Sequence, residues 1–107
     1  MTALNDTDRA LRDLQQQGRI FCIGIGEAAR WYADIYRDRV IAERVAMLGK
    51  QPRVSVAVAA AALSVPHSHI IAEVRAATLA GSDTGRQVWV QRAALVERLN
   101  AIGRTPR

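Results

Sequence analysis

The stretch VSVAVAAAALSVPHSHIIAEVR, residues 54–75, decides the fold that this sequence predicts. Ser55 can cap a first helix, and Ala60 is small where that helix must pass close to a second one. A tight turn is expected at Ser64, and Pro66 fits the start of the next helix, where its missing N–H is not needed. The pattern therefore predicts two short helices joined by a tight turn.

The second of these helices has a buried face and an outward face. Ile70 and Val74 lie four residues apart, so both are expected to point into the core. The other side chains of this helix are then expected on or near its outward face, and they are His67, Ser68, His69, Ala72, Glu73 and Arg75.

A hairpin is predicted directly after this helix. Residues 78–80 and 86–90 are two extended stretches, and they flank the turn-forming loop 81–85, Gly-Ser-Asp-Thr-Gly. The residues Arg53, Val54 and Ser55 can supply a third short strand. The hairpin should have a polar tip, where Ser82, Thr84 and Arg86 can reach phosphates or the minor groove of DNA.

The next segment, GRQVWVQRAALVERL at residues 85–99, completes a family pattern. A Gly-Arg step leads into an alternating strand and then a helix that closes on Leu95 and Leu99. With residues 54–75, this resembles the winged helix-turn-helix of bacterial regulators in the excisionase and MerR-like branch. The sequence departs from this pattern in three places. Ser64 stands at a turn position that is usually glycine, the N-terminal half resembles no known family, and the connection from residue 75 to residue 85 is long, which leaves a MarR-like branch open.

This resemblance covers residues 53–99 and implies both a fold and a function. The fold would be mostly α: a winged helix-turn-helix with a small β-hairpin wing and extra N-terminal helices. The implied function is sequence-specific binding of double-stranded DNA, as a transcriptional repressor or an excisionase-like architectural factor of a mobile element. The alternative is a protein-interaction module, such as an antitoxin or adaptor, that does not bind DNA.

The charge distribution also points to a polyanion as partner. Residues 1–49 hold seven basic and seven acidic residues, whereas residues 50–107 hold eight basic and three acidic ones. The whole formal charge of +5 therefore lies in the second half of the chain. A positive potential confined to one half attracts and orients nucleic acid, although a basic surface without any partner explains the charge equally well.

The first half is expected to support the second and to form a dimer. A short helix is predicted over residues 7–17, residues 19–25 form either a strand or a helix, and a long helix is predicted over residues 27–48. The long helix carries more apolar surface than one neighbour can cover, so residues 7–48 are the expected homodimer surface. Residues 1–49 are thus predicted to be a helical dimerisation region and residues 50–107 the DNA-binding region, within one compact domain.

The expected DNA-contacting residues are drawn from the helix, the hairpin and the third strand. Residues 66–75 should lie in the major groove, while the wing and the third strand hold the register on phosphates. The set is Arg53, Ser55, His67, Ser68, His69, Ala72, Arg75, Ser82, Thr84 and Arg86.

The sequence offers no enzyme, metal site, cofactor or membrane anchor. His67 and His69 lie two apart, but no further His or Cys completes a metal site around them. Cys22 is expected to be a small buried hydrophobic residue, and no nucleophile has a neighbouring base. No apolar run approaches the ~18 residues that a membrane span needs. We therefore expect a non-enzymatic, cytoplasmic protein associated with the nucleoid.

Overall fold

The computed structural model describes residues 6–104 and shows a mostly α-helical fold with two small antiparallel sheets. Single 3-10 turns occupy Gly26–Ala28 and Asp34–Tyr36. The described helices and strands, in chain order, are α1 (Asp6–Gln16), β1 (Ile20–Ile23), β2 (Arg30–Ala33), α2 (Arg37–Met47), β3 (Arg53–Ser55), α3 (Val56–Leu63), α4 (His67–Arg75), β4 (Gly81–Asp83), β5 (Val88–Gln91) and α5 (Arg92–Gly103).

The two sheets differ in what they join. Strands β1 and β2 form a hairpin in the first half, whereas the second sheet has the order β3-β5-β4. In this second sheet Val54 pairs with Val90, and Val90 pairs with Gly81. Val54 and Val90 are both buried, so this row of the sheet faces the core. The third strand predicted at residues 53–55 is confirmed.

The core draws on both halves of the chain. Its largest fully buried side chains come from β1, α4, β5 and α5, and they are Ile23, Ile70, Val90, Leu95 and Leu99. Helix α2 packs against α5 and α3. The predicted inward positions of Ile70 and Val74 in α4 are thereby confirmed, and Leu95 and Leu99 of α5 are buried as well.

The long helix predicted over residues 27–48 is wrong. Its first part forms β2, which pairs with β1, and α2 begins only at Arg37. The pairing places the centre of the Tyr32 ring 5.7 Å from the centre of the Phe21 ring. Aromatic pairs across two strands stabilise a sheet. The buried Asp34 carboxylate then accepts a hydrogen bond from Arg37 Nε at 2.7 Å. No Gly or Pro lies between β2 and α2 to mark the end of the strand in the sequence. The strand forms because β1 pairs with it, and that partner lies elsewhere in the chain.

The second hairpin is shifted along the chain from its predicted position. Residues 78–80, predicted to be extended, precede the strand, and the N–H groups of Thr78 and Leu79 donate to the Glu73 carbonyl. The strand begins at Gly81, where a Cβ would lie 2.2 Å from the Trp89 carbonyl oxygen, so only glycine fits this close pairing. Residues 81–83, expected in the loop, are therefore strand, and the turn lies at residues 84–87.

The link between α3 and α4 is a left-handed turn. Ser55 caps α3 as predicted, because its Oγ accepts from the Val58 N–H at 3.2 Å. At the other end Ser64 has φ 53°, and the Val65 N–H donates to the Ala60 carbonyl at 3.1 Å. This is the Schellman arrangement, which satisfies the last carbonyls of a helix. The axes of α3 and α4 then differ by 108°.

Residues from the first half of the chain form hydrogen bonds with this turn. The Ile25 N–H donates to the Ser64 carbonyl at 3.2 Å. Arg44 of α2 donates to the Ala61 carbonyl at 2.8 Å and to Ser64 Oγ at 2.7 Å, and it also bonds the Tyr32 hydroxyl. The hairpin β1–β2 and helix α2 therefore fix the direction in which α4 leaves the turn.

The helices that the structure describes also bear on membrane insertion. No one of them is both long and apolar enough to cross a bilayer. Only α3 and α4 taken together, with their sharp bend, pass a test of length and composition.

Replacing Gly24 by alanine should weaken the contact between the first hairpin and the turn at Ser64. A Cβ there would lie 1.9 Å from the Ser64 carbonyl oxygen, at a φ of +97°. Gly26→Ala is the matched control, because its φ is +59° but nothing lies within 4 Å of the added Cβ. We expect Gly26→Ala to lower the free energy of unfolding, measured in urea, by about 1–2 kcal/mol. Gly24→Ala should lower it by roughly 1–3 kcal/mol more. Equal losses would show that the close approach to Ser64 does not stabilise the fold.

Candidate nucleic-acid interface

Helix α4 presents the outward face that the sequence predicted. Ser68, Ala72 and Arg75 are exposed, and their spacing of four and three residues places them on one side of the helix. His67, in the first turn, is exposed as well, while Ile70 and Val74 are buried on the opposite side. Short side chains in the middle of the exposed face allow close approach of another molecule to the helix.

His69 lies on the flank of α4 and not in the middle of its exposed face. Its Nε2 is 3.1 Å from Glu73 Oε2, and its side chain is 39% exposed. The same Glu73 carboxylate accepts two hydrogen bonds from Arg98 Nη1, at 2.7 and 2.8 Å, and one from Thr78 Oγ1 at 3.2 Å. Glu73 thus joins α4 to α5, a role that sequence analysis missed for both Glu73 and Arg98.

The charge state of Glu73 follows from these contacts. Partial burial opposes its ionisation, but the hydrogen bond and charge of Arg98, the Thr78 hydroxyl and nearby His69 outweigh that effect. The pKa of Glu73 is therefore below its ordinary value. The Glu73 carboxylate therefore stays ionised, and the positive charge of Arg98 compensates its negative charge.

Arg75 connects α4 to the second sheet. Its Nε donates to Asp83 Oδ2 at 2.7 Å, while its side chain remains 66% exposed. The Arg75 hydrogen bond, together with one from the Gly85 N–H at 2.9 Å, lowers the pKa of Asp83. The ion pair joins the end of α4 to β4, beside the exposed face of the helix.

The three predicted hairpin residues differ in what they can offer a ligand. Ser82 lies half-buried within β4 and not at the tip. Thr84 is exposed, but its Oγ1 accepts from the Gln87 N–H and donates to the Gln87 carbonyl, both at 3.2 Å. Arg86 is exposed at the turn and is the residue there that carries a positive charge.

Arg53 and Ser55 are placed apart from the hairpin turn. Arg53 pairs with Gln91, the last residue of β5, whereas the turn precedes the first residue of that strand. The Arg53 guanidinium carbon lies 4.7 Å from the centre of the Trp89 ring, and Ser55 Oγ is used as the cap of α3. The structure therefore brings α4 and the hairpin together but sets Arg53 at the other end of the sheet.

Glu73→Gln should reduce stability in a pH-dependent way. Because the folded-state pKa of Glu73 is lowered, the ionised carboxylate stabilises the fold above its ordinary pKa of 4.5, and this is lost as pH falls through the folded value. At neutral pH we expect urea unfolding to show a loss of about 1–3 kcal/mol for the variant. The difference from the parent should shrink as pH falls well below 4.5.

The control for this experiment is Glu97→Gln, which removes the same charge from an exposed position of α5. It should change the free energy of unfolding by no more than about 0.5 kcal/mol at any pH. A Glu73→Gln loss that stays constant down to strongly acid pH would contradict the assignment of the Glu73–Arg98 contact as a charged one.

Comparison with known proteins adds no relative. No protein-family model matches this chain. No curated protein and no solved structure matches it either. A functional assignment therefore depends on the geometry of the chain itself.

Proposed function

We propose that this protein is a sequence-specific binder of double-stranded DNA with a winged helix-turn-helix fold. The element order β3-α3-α4-β4-β5 and the sheet order β3-β5-β4 support this proposal, as does the 108° between α3 and α4. Paired helices of that motif meet at about 90–120° across a short turn. The observation that carries the proposal is the exposed face of α4, joined by an Arg75–Asp83 ion pair to a hairpin with a cation at its turn.

The exposed face of α4 suits the major groove. A groove about 12 Å wide admits one α-helix, and the small Ser68 and Ala72 side chains allow the helix to approach the base edges. His67 and Ser68 lie in the first turn, the part of a recognition helix that usually contacts bases. Arg75, on the same face, is a donor for guanine or for a phosphate.

Electrostatics around α4 also favour a polyanion. Two carboxylates lie on α4 or contact it, Glu73 and Asp83, and each is paired with an arginine. They therefore repel phosphates less than free carboxylates would. Arg86 at the hairpin turn can contact a phosphate or the minor groove and so fix the register of α4.

We further propose that the protein acts as a homodimer through residues 7–48. One module of this size reads only a few base pairs, so useful affinity needs a second half-site about one helical turn away. The large exposed hydrophobic side chains among the described residues support this surface. Five of the six lie within residues 7–48 (Ile25, Trp31, Ile35, Tyr36 and Met47), and the sixth is Val58. Repression of transcription or architectural action in a mobile element are the roles that fit such a dimer.

DNA binding should depend strongly on salt and on two arginines in different ways. For binding through six or more phosphates, affinity should fall roughly 10³-fold between about 50 and 200 mM salt. Arg86→Ala should weaken binding to all duplexes alike, whereas Arg75→Ala should change which duplex is selected from a random pool. Fluorescence anisotropy and sequence selection measure the two effects.

The matched control is Arg104→Ala, because Arg104 is exposed at the end of α5, outside residues 7–48 and away from the residues proposed to contact DNA, and its removal changes the net charge equally. Its affinity for each duplex should stay within about threefold of the parent, as expected for a charge outside the contact surface. If Arg75→Ala and Arg86→Ala bind as the parent does, α4 does not dock as proposed. If the parent itself shows no salt-dependent binding, the protein-interaction alternative replaces DNA binding.

The dimer surface is tested by charge placed at Ile35, whose side chain is 86% exposed. Ile35→Glu should raise the dimer dissociation constant at least about tenfold in sedimentation velocity, because an interface would have to bury an unpaired carboxylate. Val58→Glu, on an exposed apolar position outside residues 7–48, should leave that constant unchanged. An equal effect of both variants, or a parent that stays monomeric at high concentration, would exclude this surface.

A further inference from the structure

A second charged feature lies away from the proposed DNA surface. The segment before β3, the end of β5 and the start of α5 enclose a cleft of about 420 Å³. Its walls include Lys50, Arg53, Trp89, Gln91 and Arg92. This volume is within the range of small-ligand sites in proteins. The strand register puts the cleft at the end of the sheet opposite to the turn at residues 84–87.

Three positively charged side chains line this cleft without a counterion. Within the described residues, Lys50, Arg53 and Arg92 form no salt bridge, and no carboxylate is among the residues that line the cleft. By contrast, Arg75 and Arg98 of the same half are both paired with carboxylates. A cleft lined by three cations and no carboxylate has a positive potential, which attracts an anion.

The two guanidinium groups are held in place by contacts that leave part of each available. Arg92 Nε donates to the Gly49 carbonyl at 2.7 Å, and its backbone N–H donates to the Pro52 carbonyl at 2.9 Å. The Arg53 guanidinium carbon lies over the Trp89 ring, 4.7 Å from its centre, and within the described residues its N–H groups donate to no protein acceptor. Planar guanidinium groups with free edges recognise the oxygens of a phosphoryl group through paired hydrogen bonds.

We propose that this cleft binds a phosphoryl group at a site distinct from the exposed face of α4. Arg53 and Arg92 donate to its oxygens, and Lys50 supplies a third charge at the rim. Ala93, in the first turn of α5, also lines the cleft, so the positive end of that helix dipole adds to the attraction. The phosphoryl group belongs either to a DNA backbone or to a free phosphorylated molecule, and the two sources can be separated by experiment.

The test is calorimetric titration of the full-length protein with inorganic pyrophosphate. We expect saturable binding that Arg53→Ala weakens at least about tenfold, as for loss of a bidentate charged contact. Lys50→Ala, an exposed residue whose replacement should not disturb folding, should weaken it by roughly threefold or more. Arg86→Ala removes an equal charge at the opposite end of the sheet and should change the affinity by less than about twofold.

Duplex binding by the same variants identifies the source. If Lys50→Ala and Arg53→Ala also lower duplex affinity and pyrophosphate competes with the duplex, the group comes from the DNA backbone. If duplex affinity is unchanged while pyrophosphate binding is lost, the ligand is a free phosphorylated molecule. The pyrophosphate titration stands even for a protein that binds no DNA, so the two proposals can fail separately.

Two results would overturn the proposed site. One is pyrophosphate binding that is equally strong in Lys50→Ala, Arg53→Ala and the parent, or equally weakened by Arg86→Ala. The other is the combination of two negative results. Pyrophosphate does not bind at about 10 mM, which means a binding free energy weaker than roughly 3 kcal/mol, and both cleft variants keep the duplex affinity of the parent.

Discussion

The arrangement of this protein depends on one backbone conformation, the left-handed turn at Ser64 between α3 and α4. A residue with a Cβ pays roughly 1–2 kcal/mol for that conformation, so glycine would be the simpler choice. Serine offers a compensation that glycine lacks, because its hydroxyl accepts a hydrogen bond from Arg44 at 2.7 Å. Its carbonyl also accepts from the Ile25 N–H. The strained turn is therefore stabilised from outside the two helices that it joins.

This constraint gives the first half of the chain a structural role. The hairpin β1–β2 reaches the turn through Gly24 and Ile25, and α2 reaches it through Arg44. Both contacts act on the point from which α4 departs, so they determine where its exposed face lies relative to the second sheet. At the other end of α4, Glu73 and Arg75 hold α5 and β4. The helix proposed to enter the groove is thus fixed at both ends, as a rigid recognition element requires.

The sequence could predict what is local and not what is distant. The cap at Ser55, the turn at Ser64 and the buried face of α4 depend on residues within a few positions of one another, and all were predictable from spacing. Strand β2 was not, because its residues have no local signal against a helix and become a strand only by pairing with β1. The Glu73–Arg98 contact also spans 25 positions. His69 was expected on or near the outward face, and its contact with Glu73 places it on the flank of α4.

The register of the second sheet divides the surplus positive charge between two ends of the domain. Arg86 lies at the turn end, and Lys50, Arg53 and Arg92 lie at the other. The four residues of β5 alone span about 10 Å, at roughly 3.3 Å per residue, and Arg86 lies two positions before that strand. The two groups of charge are therefore separated by at least about 10 Å, the Debye length at 0.1 M salt. Salt screens each group from the other, so a charge removed at one end leaves the field at the other end nearly unchanged. The two ends of the sheet can for this reason be tested as separate anion-binding features.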